Sequence, residues 1–148
     1  MSVYGAAFEL QKAIDTRLTT DTIFADKVTA GTDPVRIFSN PAELEEITYP
    51  YVMIGDHTSG DWSTKSFDGL ELTITVHVFT RTGDNEQAED LLDDIHRLIH
   101  RKGAFMPLTG FNLVLIRFDN FAMIQLEGTD NKKTHHGMMR FRALITNQ

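Results

Sequence analysis

Residues 70–81 read LELTITVHVFTR, and the alternation runs through them without a break. Leu70, Leu72, Ile74, Val76 and Val78 fall on one side of an extended chain, and Glu71, Thr73, Thr75, His77 and Phe79 on the other. A period of two held this long predicts a strand with one face against a core. Just upstream, Tyr51 to Ile54 is a short run of β-formers, so the two segments are expected to pair as antiparallel neighbours. Between them lies GDHTSGDWSTKSFDG, residues 55–69, a stretch of turn-formers and charge that holds the only tryptophan, Trp62. It reads as one polar loop, longer than the 2 to 5 residues of a usual hairpin connection.

Outward from this strand the period changes. DNEQAEDLLDDIHRLIHRKG, residues 84–103, places Ala88, Leu91, Leu92, Ile95, Leu98 and Ile99 on one helical stripe over 84–102. Asp84 with Gln87 resembles a capping box, Arg97, His100, Arg101 and Lys102 stand where the helix dipole favours cations, and Gly103 suits the close. Residues 4–18 predict a first helix carrying Ala7, Leu10, Ile14 and Leu18. Thr20 or Asp21 caps a short second one over Ile23–Val28, and Gly31 with Pro34 stops it. Val35–Phe38 is a short strand, and SNPAELEEITYP a connection with one helical turn in its middle. FNLVLIRFDNFAMIQLE, residues 111–127, is a long strand bent near Asp119 and Asn120, or two strands. GTDNKKT is a turn, and the last strand points Met139, Phe141, Ala143 and Ile145 inward against Met138, Arg140 and Arg142. The order helix, strands, helix, strands predicts one α+β domain over 1–148: a mainly antiparallel sheet with two principal helices on one face.

At 148 residues, 41% hydrophobic and 24% charged, the chain matches one folded domain that buries a single core. The absence of cysteine excludes disulfides, thiolate chemistry and Cys-ligated zinc. No apolar run approaches the roughly 18 residues of a membrane span, and MSVYGAAFELQKAID has no basic n-region, so neither membrane insertion nor a signal peptide is expected. A net charge of −7 argues against sequence-specific nucleic-acid binding. Lys132, Lys133, Arg140 and Arg142 against Asp130 leave residues 129–148 at +3 and the first 128 at −10. That asymmetry reads either as solvated faces or as complementarity between copies or partners.

No catalytic constellation emerges. H-E-x-x-H is absent, His135 and His136 point to opposite faces of a strand, and His77 reads as a half-buried, hydrogen-bonded histidine. Asp56, Asp61 and Asp68 match no EF-hand spacing, and turn chemistry explains them as well as calcium does. GDHTSG lacks the lysine and the following helix of a phosphate cradle, and no serine sits in G-x-S-x-G. The reading is a non-enzyme without cofactor or metal. The six acids of 84–94 stand where the helix dipole favours them, though they also form a possible binding face. Phe79 and Phe118 are candidates to leave the core side and mark a protein contact.

A set of residues in order carries a resemblance. Pro50-Tyr51-Val52-Met53-Ile54-Gly55, Asp61-Trp62-Ser63-Thr64-Lys65, Gly69, Thr75-Val76-His77-Val78-Phe79, the amphipathic helix and His136-Gly137-Met138-Met139-Arg140-Phe141-Arg142-Ala143-Leu144 resemble the tail-completion, or tail-terminator, family of long-tailed phages, over about residues 50–146. Met138-Met139 stand where aliphatic residues are usual, and the N-terminal third agrees only as a helix followed by a short strand. The resemblance implies a structural virion protein, assembled in the bacterial cytoplasm and carried in the tail. It would form a homo-hexameric ring on the last tail-tube ring, end tube growth and join the tail to the head connector, with tail-tube and connector proteins as partners. On that reading Asp61, Trp62, Ser63, Thr64, Lys65 and Phe67 form an interface loop with Trp62 as anchor, ordered by the neighbour's arrival. Lys65 and Arg81 would pair with a neighbour's acids, and Arg140 and Arg142 would supply the basic side. The competing reading of Trp62 folds it back to cap the core, and the competing function is a small α+β ligand-binding or regulatory domain.

Overall fold

The computed structural model describes residues 2–28, 37–38, 49–81, 85–127 and 133–147. The expected stop at Gly31 and Pro34, the helical turn before Tyr49, the turn at 128–132 and the cap at Asp84 lie outside them. The chain runs α1 (Val3–Thr20), α2 (Thr22–Lys27), β1 (Ile37–Phe38), β2 (Tyr51–Asp61), β3 (Gly69–Thr80), α3 (Glu86–Ile99), a 3-10 turn (Gly103–Phe105), β4 (Phe111–Glu127) and β5 (Lys133–Asn147). The strands form one sheet in the order β1-β2-β3-β5-β4, with β1 parallel to β2 and every other pairing antiparallel. This is the α+β arrangement the periodicities predict.

The stripes decide what is buried. Leu10, Ile14 and Leu18 of α1 and Leu91, Ile95 and Ile99 of α3 close over Leu72, Ile74, Val76 and Val78 of β3 and Phe141, Ala143 and Ile145 of β5. Each of the larger side chains among these contributes roughly 1.5–3 kcal/mol when fully buried. Both helices cover the same face, and among the described residues no helix covers the other. Arg17 of α1 donates from Nε to the carbonyl of Leu98 at 2.9 Å, satisfying one of the oxygens that the last turn of α3 leaves unpaired.

Several boundaries differ from those expected. α3 begins at Glu86 behind Asn85, whose side chain makes no cap bond and instead donates to Glu89 at 3.0 Å. It ends at Ile99, and the left-handed residue beyond is Arg101, at φ 56°, not Gly103, which opens the 3-10 turn. Ser2 caps α1 and Asp21 caps α2, accepting from the Gly5 and Phe24 amides at 3.0 and 3.1 Å.

The largest correction concerns residues 55–69. β2 does not stop at Ile54: it pairs with β3 as far as Asp61, so the connection is only Trp62–Asp68. Asp56 made the segment look like loop, and it is the extra residue of a β-bulge. The register slips between Gly55 and His57, and Asp56 takes φ 51°, a conformation aspartate tolerates better than most residues. A matching slip between Phe118 and Asn120 in β4 accounts for the bend expected there, and β4 is one strand. Phe118 stays on the core side and packs edge-on to His96, so only Phe79 of the two phenylalanines leaves it.

Candidate functional site

The hairpin tip forms through its own hydrogen bonds. The Trp62 amide donates to the Gly69 carbonyl and the Thr64 amide to the Phe67 carbonyl, both at 2.9 Å. Ser63 Oγ donates to Asp61 at 2.7 Å and accepts from the Gly69 amide at 3.1 Å. The Asn147 amide ties the tip to the end of β5 through the Asp68 carbonyl at 3.4 Å. All of these bonds are made within the one chain. Trp62 is half-exposed. It neither caps the core nor stands free, but meets Phe67 edge-on with ring centroids 5.5 Å apart and lies against Gly69. Phe67 and Lys65 are exposed beside it.

The remaining predicted residues lie elsewhere. Arg81 follows the far end of β3, so the strand's length separates it from the tip by about 35–40 Å, and its guanidinium stacks 5.4 Å from the Tyr49 ring. Arg140 and Arg142 point from β5 to the open face of the sheet. Arg142 pairs with Glu71 at 2.9 Å across the β3–β5 ladder, and Arg140 is exposed. The fold thus collects Asp61, Trp62, Ser63, Thr64, Lys65 and Phe67 in one tip, and puts the arginines on other surfaces.

The open face carries features the residue pattern did not disclose. Gly55 pairs with Thr75, Thr75 with Arg140 and Arg140 with Asn120, so the bulges at Asp56 and Asp119 lie on one row across the sheet. Bulges bend and twist a ladder, and on this row the open face holds a trough of about 490 Å³. Asp56, Thr75 and His77 line one side, and Asn120, Met138 and Arg140 the other. Thr58 and Thr73 hydrogen-bond across the β2–β3 pair beside it. His77, only 8% exposed, contacts Asp56 through Nε2 at 2.7 Å and His136 Nε2 through Nδ1 at 2.8 Å. With both rings neutral, His136 donates to His77 and His77 donates to the carboxylate. Tyr51, Phe79 and His136 continue outward as a stack, with centroids 4.7 and 4.2 Å apart. Burial, with the neighbouring His77 adding to it, holds the His136 pKa below the usual histidine value, and burial pushes Tyr51 up to about 12. The Asp56–His77–His136 chain has no sequence signature because it joins three strands across a bulge.

His100 corrects the expectation of a cation at the end of α3. Its Nδ1 accepts the Phe118 amide at 2.8 Å, and burial, followed by the charges of His96 and Arg101, lowers its pKa. On the helix side, Lys27 of α2 bridges Asp94 and Asp90 at 2.6 and 2.9 Å, and those bonds raise its pKa. Among the described residues no group of three or more histidine, aspartate or glutamate side chains is placed to hold a metal ion.

Comparison with known proteins gives the arrangement its context. Residues 6–146 match the family model described as tail completion protein gp17. A relative bearing that name from Bacillus phage SPP1 is 32% identical over 101 residues, spanning 67% of this chain and 69% of the relative. A chain of the virion of a native gene transfer agent particle shares the fold, with a TM-score of 0.77 and 23% identity, covering 97% of this chain and 99% of that one. The family match spans both principal helices, the hairpin and the paired long strands, so the chain belongs to the tail completion protein gp17 family of structural phage tail proteins.

Proposed function

We propose that the chain, acting as one domain over 1–148, forms a homo-hexameric ring at the head-proximal end of a phage tail, where it ends tube growth and joins the tail to the head connector. The observation that carries this reading is the family match over residues 6–146. Its role is structural, with no catalysis, and its partners are further copies of itself, the tail-tube protein and the connector. Asp61, Trp62, Ser63, Thr64, Lys65 and Phe67 form one contact at the hairpin tip. The half-exposed Trp62 braced on Phe67 is the kind of pre-set aromatic that anchors an interface. Arg140 and Arg142 serve a second contact on the open sheet face, and Arg81 a third at the opposite end.

The test is to polymerise tail-tube protein with increasing amounts of this chain and measure tube lengths by electron microscopy. Shortened tubes with a ring at one end are expected, and lengths indifferent to the chain, with bare ends, would contradict the proposal. Trp62→Ala should lower the melting temperature modestly and weaken capping well beyond that loss. A large loss of stability with normal capping would remove Trp62 from the interface.

A further inference from the structure

Two surfaces on opposite sides of the molecule each bring like charges together: arginines on the open face, beside Asp56 and Glu71, and acids on α3. On the open face Arg117 of β4 pairs directly opposite Arg142 of β5, and Arg140 stands two residues along β5, opposite Asn120. Like charges directly across a ladder destabilise it. Arg142 has Glu71, but Arg117 and Arg140 are exposed and meet no acidic side chain among the described residues. On the helix side Glu86, Glu89, Asp90 and Asp93 occupy the two turns of α3 opposite its buried stripe of Ala88, Leu91, Leu92 and Ile95. Glu86 with Asp90 and Glu89 with Asp93 are like-charge pairs at i,i+4, which also cost stability. Lys27 compensates Asp90, whereas Asp93 is exposed and unpaired among the described residues.

α3 packs on the inner face of the same strands whose outer face bears the arginines. A two-fold dimer through the acidic face of α3 would set like charge against like. A head-to-tail contact sets acid against base, and such a contact closes into a ring when its rotation permits. Arg140 lines the trough on the open face. Resting on the ring proposed above, we infer that the contact between successive copies seats the acidic face of α3 in one copy against the Arg117–Arg140 surface of the next. Each copy thereby relieves a repulsion that the other carries alone. The occupant of the open face is therefore a second copy of this chain.

Reciprocal charge reversal tests the pairing. One variant carries Arg117→Glu and Arg140→Glu, the other Glu89→Lys and Asp93→Lys, and solution mass is measured for each alone and for an equal mixture, with and without tail tubes. Each variant alone is expected to fold and to stay monomeric. The mixture is expected to assemble again, because each reversed surface then meets its opposite and a sixfold ring alternates evenly. Variants that assemble as the unaltered chain does, or a mixture of folded variants that stays monomeric, would overturn the pairing and leave the ring standing. An unaltered chain that stays monomeric with and without tubes would overturn both. If a double variant fails to fold, Arg140→Ala and Asp93→Ala carry the test. Each should raise the concentration for half-assembly at least about tenfold, and unchanged midpoints would overturn the pairing.

Discussion

A Cβ added at Gly69 would stand 2.5 Å from the Trp62 carbonyl oxygen and 2.8 Å from the indole ring, whereas one added at Gly60 would meet nothing within 4 Å. Backbone cannot yield as a flexible side chain can, so Gly69→Ala forces the hairpin tip apart. It should cost about 1–3 kcal/mol in denaturant unfolding, while Gly60→Ala should be neutral or slightly stabilising. Equal effects at the two positions would show that the Trp62–Gly69 contact does not hold the tip. The motif around Trp62 and Gly69 was visible in the residues, but its reason was not, because close approach of a strand's first residue to its own turn has no periodicity. The same limit hid Arg117. Its facing Arg142 depends on slips on both sides of it in the β4–β5 register, and those slips are a property of two strands together.

At the scale of elements, two histidines bind segments together in their neutral form. His100 joins the end of α3 to β4 by accepting the Phe118 amide, and His136 joins β5 to β3 and, through His77, to Asp56 of β2. Burial is the main cause lowering the pKa of both. In the unfolded chain each titrates near 6.5, so as pH falls below about 6.5 the unfolded state takes up protons that the folded state resists, and stability declines. The melting temperature should therefore drop between about pH 7 and pH 5. His100→Asn and His136→Gln, which leave an amide near the bonded nitrogen, should each flatten the decline. Variants with the parent's slope would remove these histidines as its source. Helices and central strands were legible because their stripes are long: α1, α3, β3 and β5 lie within a few residues of the expected bounds. The length of β2 was hidden because two aspartates and two glycines in a strand read as turn, and only pairing with β3 makes Asp56 a bulge. α3 begins at Glu86 behind Asn85, which bonds forward to Glu89 instead of to the backbone, a choice that no residue pattern discloses.

At the scale of the whole molecule, alternation in residues 70–81 and the stripe of α3 were enough to reach an antiparallel sheet with helices on one face, because burying those two patterns leaves few other solutions. The candidate contacts were less legible. Sequence neighbours in the tip came together as a matter of course, but the trough, the histidine chain and the opposition of the α3 acids to the β4–β5 arginines exist only once two bulges bend the sheet and α3 lies on its inner side. On the proposed pairing, that opposition makes the copy-to-copy contact head-to-tail, and this is the central claim. The most direct test is the mass of the unaltered protein by light scattering coupled to size exclusion, over a wide concentration range and with tail-tube protein present or absent. A closed ring predicts one species at about six times the 16.8 kDa chain, alone or on the tube end, with no stable dimer. A monomer indifferent to both concentration and tubes would contradict the account and favour a small ligand-binding domain instead.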